Sequence, residues 1–207
     1  MIPFVHVNCA MSADGKIAGS DRKQVRISSK EDKDRVKGLR MKYDAILVGV
    51  GTVVSDDPHL TVKGRTYDEN QIRVVVDPHL RIPRDAAVLD DRAPTVIAAS
   101  DDAEGDVKGA EIIRCGNPFD LHDMLERLGD MGIESILVEG GGETIASFFR
   151  EDLVDEYTVF VGSMIIGGRA SPTPSDGDGW VVSEGRRLAL VGSEILGDGV
   201  LISYRRV

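Results

Sequence analysis

Two stretches of this chain place glycines, carboxylates and hydroxyls where they could hold anionic and polar ligands. The first, Glu139-Gly140-Gly141-Gly142-Glu143-Thr144, follows the apolar run Ile136 to Val138. Glycines let a backbone approach an anionic group, and N–H groups opening a following helix can receive a pyrophosphate. Glu139, at the strand end, could accept two hydrogen bonds from an amino-pyrimidine edge. The alternative is a tight turn with a solvated strand end. The spacing is not G-x-G-x-x-G and no G-x-x-x-x-G-K-[ST] loop occurs, so neither a Rossmann fingerprint nor a P-loop is present. The second stretch, GVGTVVSDDPHLTVK at Gly49 to Lys63, flanks a strand end with Gly49 and Gly51 and offers the Thr52 hydroxyl. Asp56-Asp57-Pro58 builds a turn, and Leu60 and Lys63 follow on a short extended piece. By spacing alone it also reads as a cap or turn with solvated acids.

Alternating strand and helix patterns must position these stretches. Ile2 to Met11 reads as a strand ending at the turn Ser12-Ala13-Asp14-Gly15. Ser29-Lys30-Glu31-Asp32 looks like an N-cap with acids in the first turn, opening a helix to about Lys42 with Val36, Leu39 and Met41 turned inward. Ala45 to Gly49, Arg73 to Val76 and Thr95 to Ala99 are continuous apolar runs expected of strands buried on both faces, with Ile112-Ile113 a shorter one. Asn117-Pro118 is expected to open a helix through Leu128, with proline in its first turn. The glycine triplet precedes a helix from about Glu143 to Phe149. Glu156 to Val161, Leu188 to Ile195 and Val200 to Arg205 look like antiparallel strands, with Gly167 to Gly179 as a polar surface loop. No long linker or internal repeat divides the chain. The expectation is one domain over residues 1–207, α/β, with a mostly parallel central sheet flanked by helices and an antiparallel C-terminal hairpin. In such sheets ligands bind beyond the carboxyl ends of the parallel strands, where both stretches fall.

Bulk properties narrow the function classes. The 207 residues carry 25 basic and 35 acidic side chains, a formal net charge of −10, which opposes non-specific attraction to a nucleic-acid backbone. It leaves room for a phosphorylated small molecule, since two or three local cations suffice for one phosphate. The two cysteines, Cys9 and Cys115, are too few for a disulfide framework and read as small buried hydrophobes. No segment approaches ~18 consecutive apolar residues and the N-terminus lacks a basic n-region, so a cytoplasmic location is expected, with no membrane partner. No metal-ligand spacing is present.

Taken together with NCAMSADGKIA at 8–18 and RVVVDPHLRIP at 73–83, the two stretches resemble the riboflavin-biosynthesis reductases related to dihydrofolate reductase. The resemblance runs from about His6 to the terminal GDGVLISYRR at 197–206 and rests on TVVSDDPHLTV and VEGGGETIASFF in that order. The H-x-E and P-C-x-x-C zinc pattern of the deaminase domain in bifunctional members is absent, so the chain looks like the stand-alone archaeal and fungal type. The resemblance implies a dihydrofolate-reductase-like fold, a homodimer, and NADPH-dependent reduction of 2,5-diamino-6-ribosylamino-4(3H)-pyrimidinone 5′-phosphate to its ribitylamino product, with NADH as another possible donor. It further implies cofactor contacts from Thr52 and Asp56, from Gly140, Gly141, Gly142, Glu143 and Thr144 at the pyrophosphate, from Ala10 at the nicotinamide, and from Asp77 and Pro78 at the adenosine ribose. His79 or Arg81 would then favour a 2′-phosphate. Ser28, Arg40, Leu60, Lys63 and Glu139 fall on substrate positions. Lys63 stands where bacterial relatives place arginine, and Gln24 and Arg26 where they place serine and tryptophan.

On this reading the ribosylamine opens to an imine, hydride reaches its C1′ and a proton reaches its nitrogen. No side chain is an obligatory acid; Glu139 and Asp57 are candidates, the latter more a structural residue. Two rivals stand beside this reading. One is reduction of a deaminated substrate, or of a pterin or dihydrofolate, on the same fold; the acids Glu31, Asp32 and Asp34 in the first helix bear on it. The other is a nucleotide-binding regulatory module without turnover.

Overall fold

The structure, a computed structural model, describes residues 1–23 and 25–207. Strands form where aliphatic side chains run without interruption and helices where a polar cap precedes a stripe. In chain order the elements are β1 (Phe4–Ser12), α1 (Lys30–Arg40), β2 (Ala45–Gly49), α2 (Val50–Asp56), β3 (Ile72–Val76), β4 (Thr95–Ala99), β5 (Glu111–Arg114), α3 (Leu121–Asp130), β6 (Ser135–Gly140), α4 (Gly142–Arg150), β7 (Glu156–Gly162), β8 (Leu188–Leu196) and β9 (Gly199–Arg206). The class is α/β, mostly parallel, with antiparallel C-terminal strands. The chain divides into two compact units, Met1–Phe4 with Leu39–Leu137, and Val5–Gly38 with Val138–Val207.

In the first unit, β2, β3, β4 and β5 pair in parallel, with Gly49 opposite Val76 and Val76 opposite Ala98. Their aliphatic side chains explain the continuous apolar runs: every residue of β2 and β4 is buried, as parallel strands covered on both faces require. One layer of this core joins Ile46, Val48, Val50, Val53, Leu60, Val75, Ile82 and Ile97. Helix α3 buries Leu121, Met124, Leu125 and Leu128, the 3–4 spacing of one face. It begins at Leu121 rather than at Pro118, because the Asp120 side chain accepts from the His122 and Asp123 amides and makes the cap.

In the second unit, β1 pairs in parallel with β7, which pairs antiparallel with β9, which pairs antiparallel with β8. The expectation of antiparallel neighbours for β7 therefore holds on one side only. Ser29 caps α1 as its S-x-x-D pattern predicts, its hydroxyl accepting from the Asp32 amide at 3.0 Å. The inward face of α1 differs from expectation. Met41 lies beyond its end and is 45% exposed, whereas Asp32 is buried, its carboxylate 2.8 Å from Arg35. A charge is tolerated there because Arg35 pairs with it and also donates to Asn8 Oδ1 at 2.8 Å. Asn8 Oδ1 accepts in turn from Thr158 Oγ1, and that hydroxyl meets His6 Nε2, each at 2.9 Å. The loop at 167–179 is only partly at the surface: Ser171 is buried, and the segment that follows it packs on the turn that opens α4.

Candidate active site

The parallel register sets where the candidate residues of the first unit lie. Because Gly49 and Val76 are register partners, the chain leaving β2 into α2 and the chain leaving β3 at Asp77-Pro78 emerge side by side at the carboxyl edge. Thr52 and Asp56 lie one turn apart on α2, hence on one face, Thr52 half-buried and Asp56 exposed. Asp57 ends that helix in the left-handed conformation at φ 42, and its carboxylate accepts from the Ala87 amide at 2.7 Å. That bond fixes the turn and gives Asp57 a structural task.

Beyond Asp57 the loop to Lys63 is held from below. Arg73, the second residue of β3, has a fully buried guanidinium, donating to the carbonyls of His59, Asp90 and Ala93 and pairing with the Asp90 carboxylate at 2.9 Å. Asp90 also pairs with Arg92 at 2.8 Å; its carboxyl is shifted below the usual range, the desolvation that opposes the shift being outweighed by these arginines. Val62 is buried and its amide donates to Asn70 Oδ1 at 2.9 Å. Lys63 consequently stands exposed on an anchored loop.

Two expected ligand contacts are placed otherwise. Leu60 is buried in the core layer at φ 50, so its side chain serves packing and leaves only its backbone to a ligand. Asp77 is fully buried and accepts from the Ile82 amide at 2.8 Å, shaping the loop through Pro78, His79 and Arg81. Its carboxylate therefore does not face a ribose from the protein surface, while Pro78 is half-buried and His79 and Arg81 are exposed. Arg40 is half-buried at the end of α1. The signal for Arg73 was present in the sequence as a charged residue opening an apolar run.

In the second unit, β6 lies beside β1. Ala10 is half-buried near the end of β1, and Glu139 is half-buried at the end of β6. Gly140 closes that strand, and Gly141 turns the chain at φ 40, a conformation that favours glycine. The first helical bond of α4 runs from the Ile145 amide to the Gly141 carbonyl. No side chain caps Gly141, so the amides of Gly142, Glu143 and Thr144 precede the helical ladder as donors for an anion. Glu143 is exposed and Thr144 half-buried. Gly142 is glycine for another reason: a Cβ there would collide with the Thr173 carbonyl and the Asp176 carboxylate. Ser28 is half-buried ahead of α1 beside the exposed Arg26, while Gln24 lies outside the described residues. Thr173 and Asp176, which meet this turn, are distant from it in the chain and carry no local sequence pattern.

A family model, the RibD C-terminal domain, matches residues 3–202. This chain belongs to the RibD C-terminal domain family. Among curated members, the 2,5-diamino-6-ribosylamino-4(3H)-pyrimidinone 5′-phosphate reductase of Methanothermobacter thermautotrophicus is 42% identical, the match spanning 99% of this chain and 98% of that one. The reductase of the same name from Archaeoglobus fulgidus is 40% identical over 99% of each. A solved RibD-family structure, the diaminohydroxyphosphoribosylaminopyrimidine deaminase/5-amino-6-(5-phosphoribosylamino)uracil reductase of Thermotoga maritima, superposes with a TM-score of 0.83 at 27% identity, covering all of this chain (100%) and 57% of that chain. The family fold is the dihydrofolate-reductase-like one, as the order of the two stretches implied. This RibD-family chain is a reductase of riboflavin biosynthesis.

Proposed function

We propose that this protein reduces 2,5-diamino-6-ribosylamino-4(3H)-pyrimidinone 5′-phosphate to the ribitylamino compound with NADPH, as a cytoplasmic homodimer. The observation that carries the reading is the uncapped first turn of α4 behind a left-handed Gly141, a cradle suited to a pyrophosphate. Two full-length relatives at 40% and 42% identity bear the name of this activity. The residues fit a nicotinamide dinucleotide. Gly141 to Thr144 would take its phosphates, Ala10 would lie against its nicotinamide, and Thr52 and Asp56 would bond ribose and amide groups from one helix face. His79 and Arg81, exposed after Asp77-Pro78, would meet a 2′-phosphate. When bound, the reduced cofactor supplies hydride chemistry.

The chain's own part is placement and exclusion of water. Glu139 would accept from the amino-pyrimidine edge, with Ser28 and Arg40 beside the ribose phosphate. Lys63 would meet the 5′-phosphate as a point charge, without the bidentate fork of arginine. Because Leu60 and Asp77 are buried, we assign them to shaping the loops that carry Lys63 and Arg81. The open-chain imine of the substrate then receives hydride at C1′ and a proton at nitrogen, the proton coming from solvent or the substrate itself. On the apolar edge strand β8, Leu190 and Ile195 are exposed and offer a second copy its interface.

The test is loss of reduced-nicotinamide absorbance on mixing NADPH, the diamino substrate and the protein. Turnover with this compound, and little with its deaminated counterpart or dihydrofolate, is expected. Faster turnover of either alternative would overturn the substrate assignment, and binding without turnover would make the protein a nucleotide-binding module.

A further inference from the structure

A single irregular segment, residues 164–176, is hydrogen-bonded from Met164 to Pro172 to the loop leaving β1 and at Asp176 to the turn that opens α4, both in the second unit. At one end lies the loop leaving β1. That loop closes on itself, with the Gly15 amide donating to the Ser12 carbonyl at 2.9 Å and the Ser12 amide to the Lys16 carbonyl at 2.8 Å. It is then joined to the segment by the Ala13 amide on the Met164 carbonyl, the Ile17 amide on the Pro172 carbonyl and Lys16 Nζ on the Ser171 carbonyl, at 2.8, 2.9 and 3.2 Å. Asp14 adds both carboxylate oxygens: Oδ1 accepts from the Ile166 amide at 3.1 Å and Oδ2 from the Gly167 amide at 2.7 Å. Gly167 and Gly168, at φ 70 and 87, make the tight turn that aims those amides at one carboxylate. At the other end, Asp176 Oδ1 accepts from the Thr173 amide and hydroxyl, and the Asp176 amide donates to the Gly142 carbonyl at 3.1 Å.

The loop leaving β1 begins three residues after Ala10, at Ala13, and Gly142 opens α4. On the reading proposed above, on which this inference rests, these are the nicotinamide and pyrophosphate ends of one dinucleotide. We infer that Asp14 is a positioning residue: it fastens the β1 loop to segment 164–176, so that filling the glycine turn of α4 orders the loop beside the nicotinamide. Asp14 is ionised throughout the working range, because hydrogen bonds from Ser12 and then from Ile166 hold its carboxyl down to about 2. Two charge-assisted amide bonds to the turn at Gly167-Gly168 are what a loop needs to keep one conformation through turnover.

Hydrogen exchange with and without NADPH, read by peptide, tests this on the full chain, on Asp14→Ala and on the isosteric Asp14→Asn. In the unsubstituted protein NADPH should slow exchange at 140–145, 12–17 and 164–168 together. In Asp14→Ala protection should persist at 140–145 and vanish at 12–17, with kcat reduced about ten-fold or more and KM for NADPH little changed. Asp14→Asn, which keeps one acceptor oxygen, should fall between. Unchanged protection of 12–17 in both variants, even with a lowered Tm, would overturn the positioning role. Absence of NADPH protection at 140–145 in the unsubstituted protein would instead overturn the cofactor reading, and this inference with it.

Discussion

At the residue scale, burial decides which polar groups are available to ligands. Asp77 and Asp57 look alike in the sequence as acids at element ends, yet each spends a carboxylate oxygen on an amide of its own chain. Lys63 differs, since it is exposed on a loop held by Arg73, Asp57 and Val62. Lys63→Ala should raise the substrate KM by roughly ten- to a hundred-fold, the size of one charge-assisted bond, and leave a dephosphorylated analogue unaffected. Equal losses on both compounds would remove the phosphate from Lys63. His6 gives a pH signature. Burial, only partly offset by Glu156, lowers its pKa to about 4. The unfolded chain, with an ordinary value near 6.5, therefore takes up the proton first, so stability is full above that pH and declines as pH falls toward about 4. The loss should approach about 3 kcal/mol in urea unfolding and be largely absent in His6→Gln, whose amide keeps a partner for Thr158. Parallel profiles for the two proteins would show that His6 does not carry it.

At the element scale, two glycines of similar appearance differ in purpose. Gly51, inside α2, has open space where a Cβ would stand, whereas a Cβ on Gly142 would strike Thr173 and Asp176. Gly51→Ala should therefore be neutral or stabilising by up to about 1 kcal/mol, from helix propensity alone. Gly142→Ala should cost about 1–3 kcal/mol and displace segment 173–176. Calorimetric melts of the two variants check the contrast, and a Gly142→Ala protein as stable as the original would remove that segment from the turn. Strands proved more legible than helix starts. The bounds of β2 and β4 follow from uninterrupted aliphatic runs because both faces are buried. Helix α3 starts at Leu121, not at Pro118, because a side-chain cap from Asp120 outweighs the preference of proline for a first turn.

At the scale of the whole molecule, the nine-residue β8 has almost every side chain exposed, with Leu190 at 64%, Val191 at 54% and Ile195 at 85%. A long apolar edge strand is an invitation to pair, and natural chains cover such edges. Under the proposed homodimer, Leu190→Glu with Ile195→Glu should yield a monomer in sedimentation measurements, with the unsubstituted chain running as a dimer. A dimer that survives both substitutions would place the interface elsewhere.

The sequence by itself determined the class, the strand pattern and the two loops, because burial of parallel strands and the turn needs of glycine act locally. It also carried the family, since TVVSDDPHLTV and VEGGGETIASFF are specific in combination. Only the tertiary structure decided which acids face inward. Asp32, Asp77 and Arg73 are buried at positions where a solvated charge is the ordinary expectation, because Arg35, the Ile82 amide and the Asp90 carboxylate repay part of their desolvation. The same holds for segment 164–176. Composition marks Gly167 to Gly179 as a surface loop, and only the tertiary structure shows the Ile166 and Gly167 amides bonded to Asp14 and the Asp176 amide bonded to the Gly142 carbonyl.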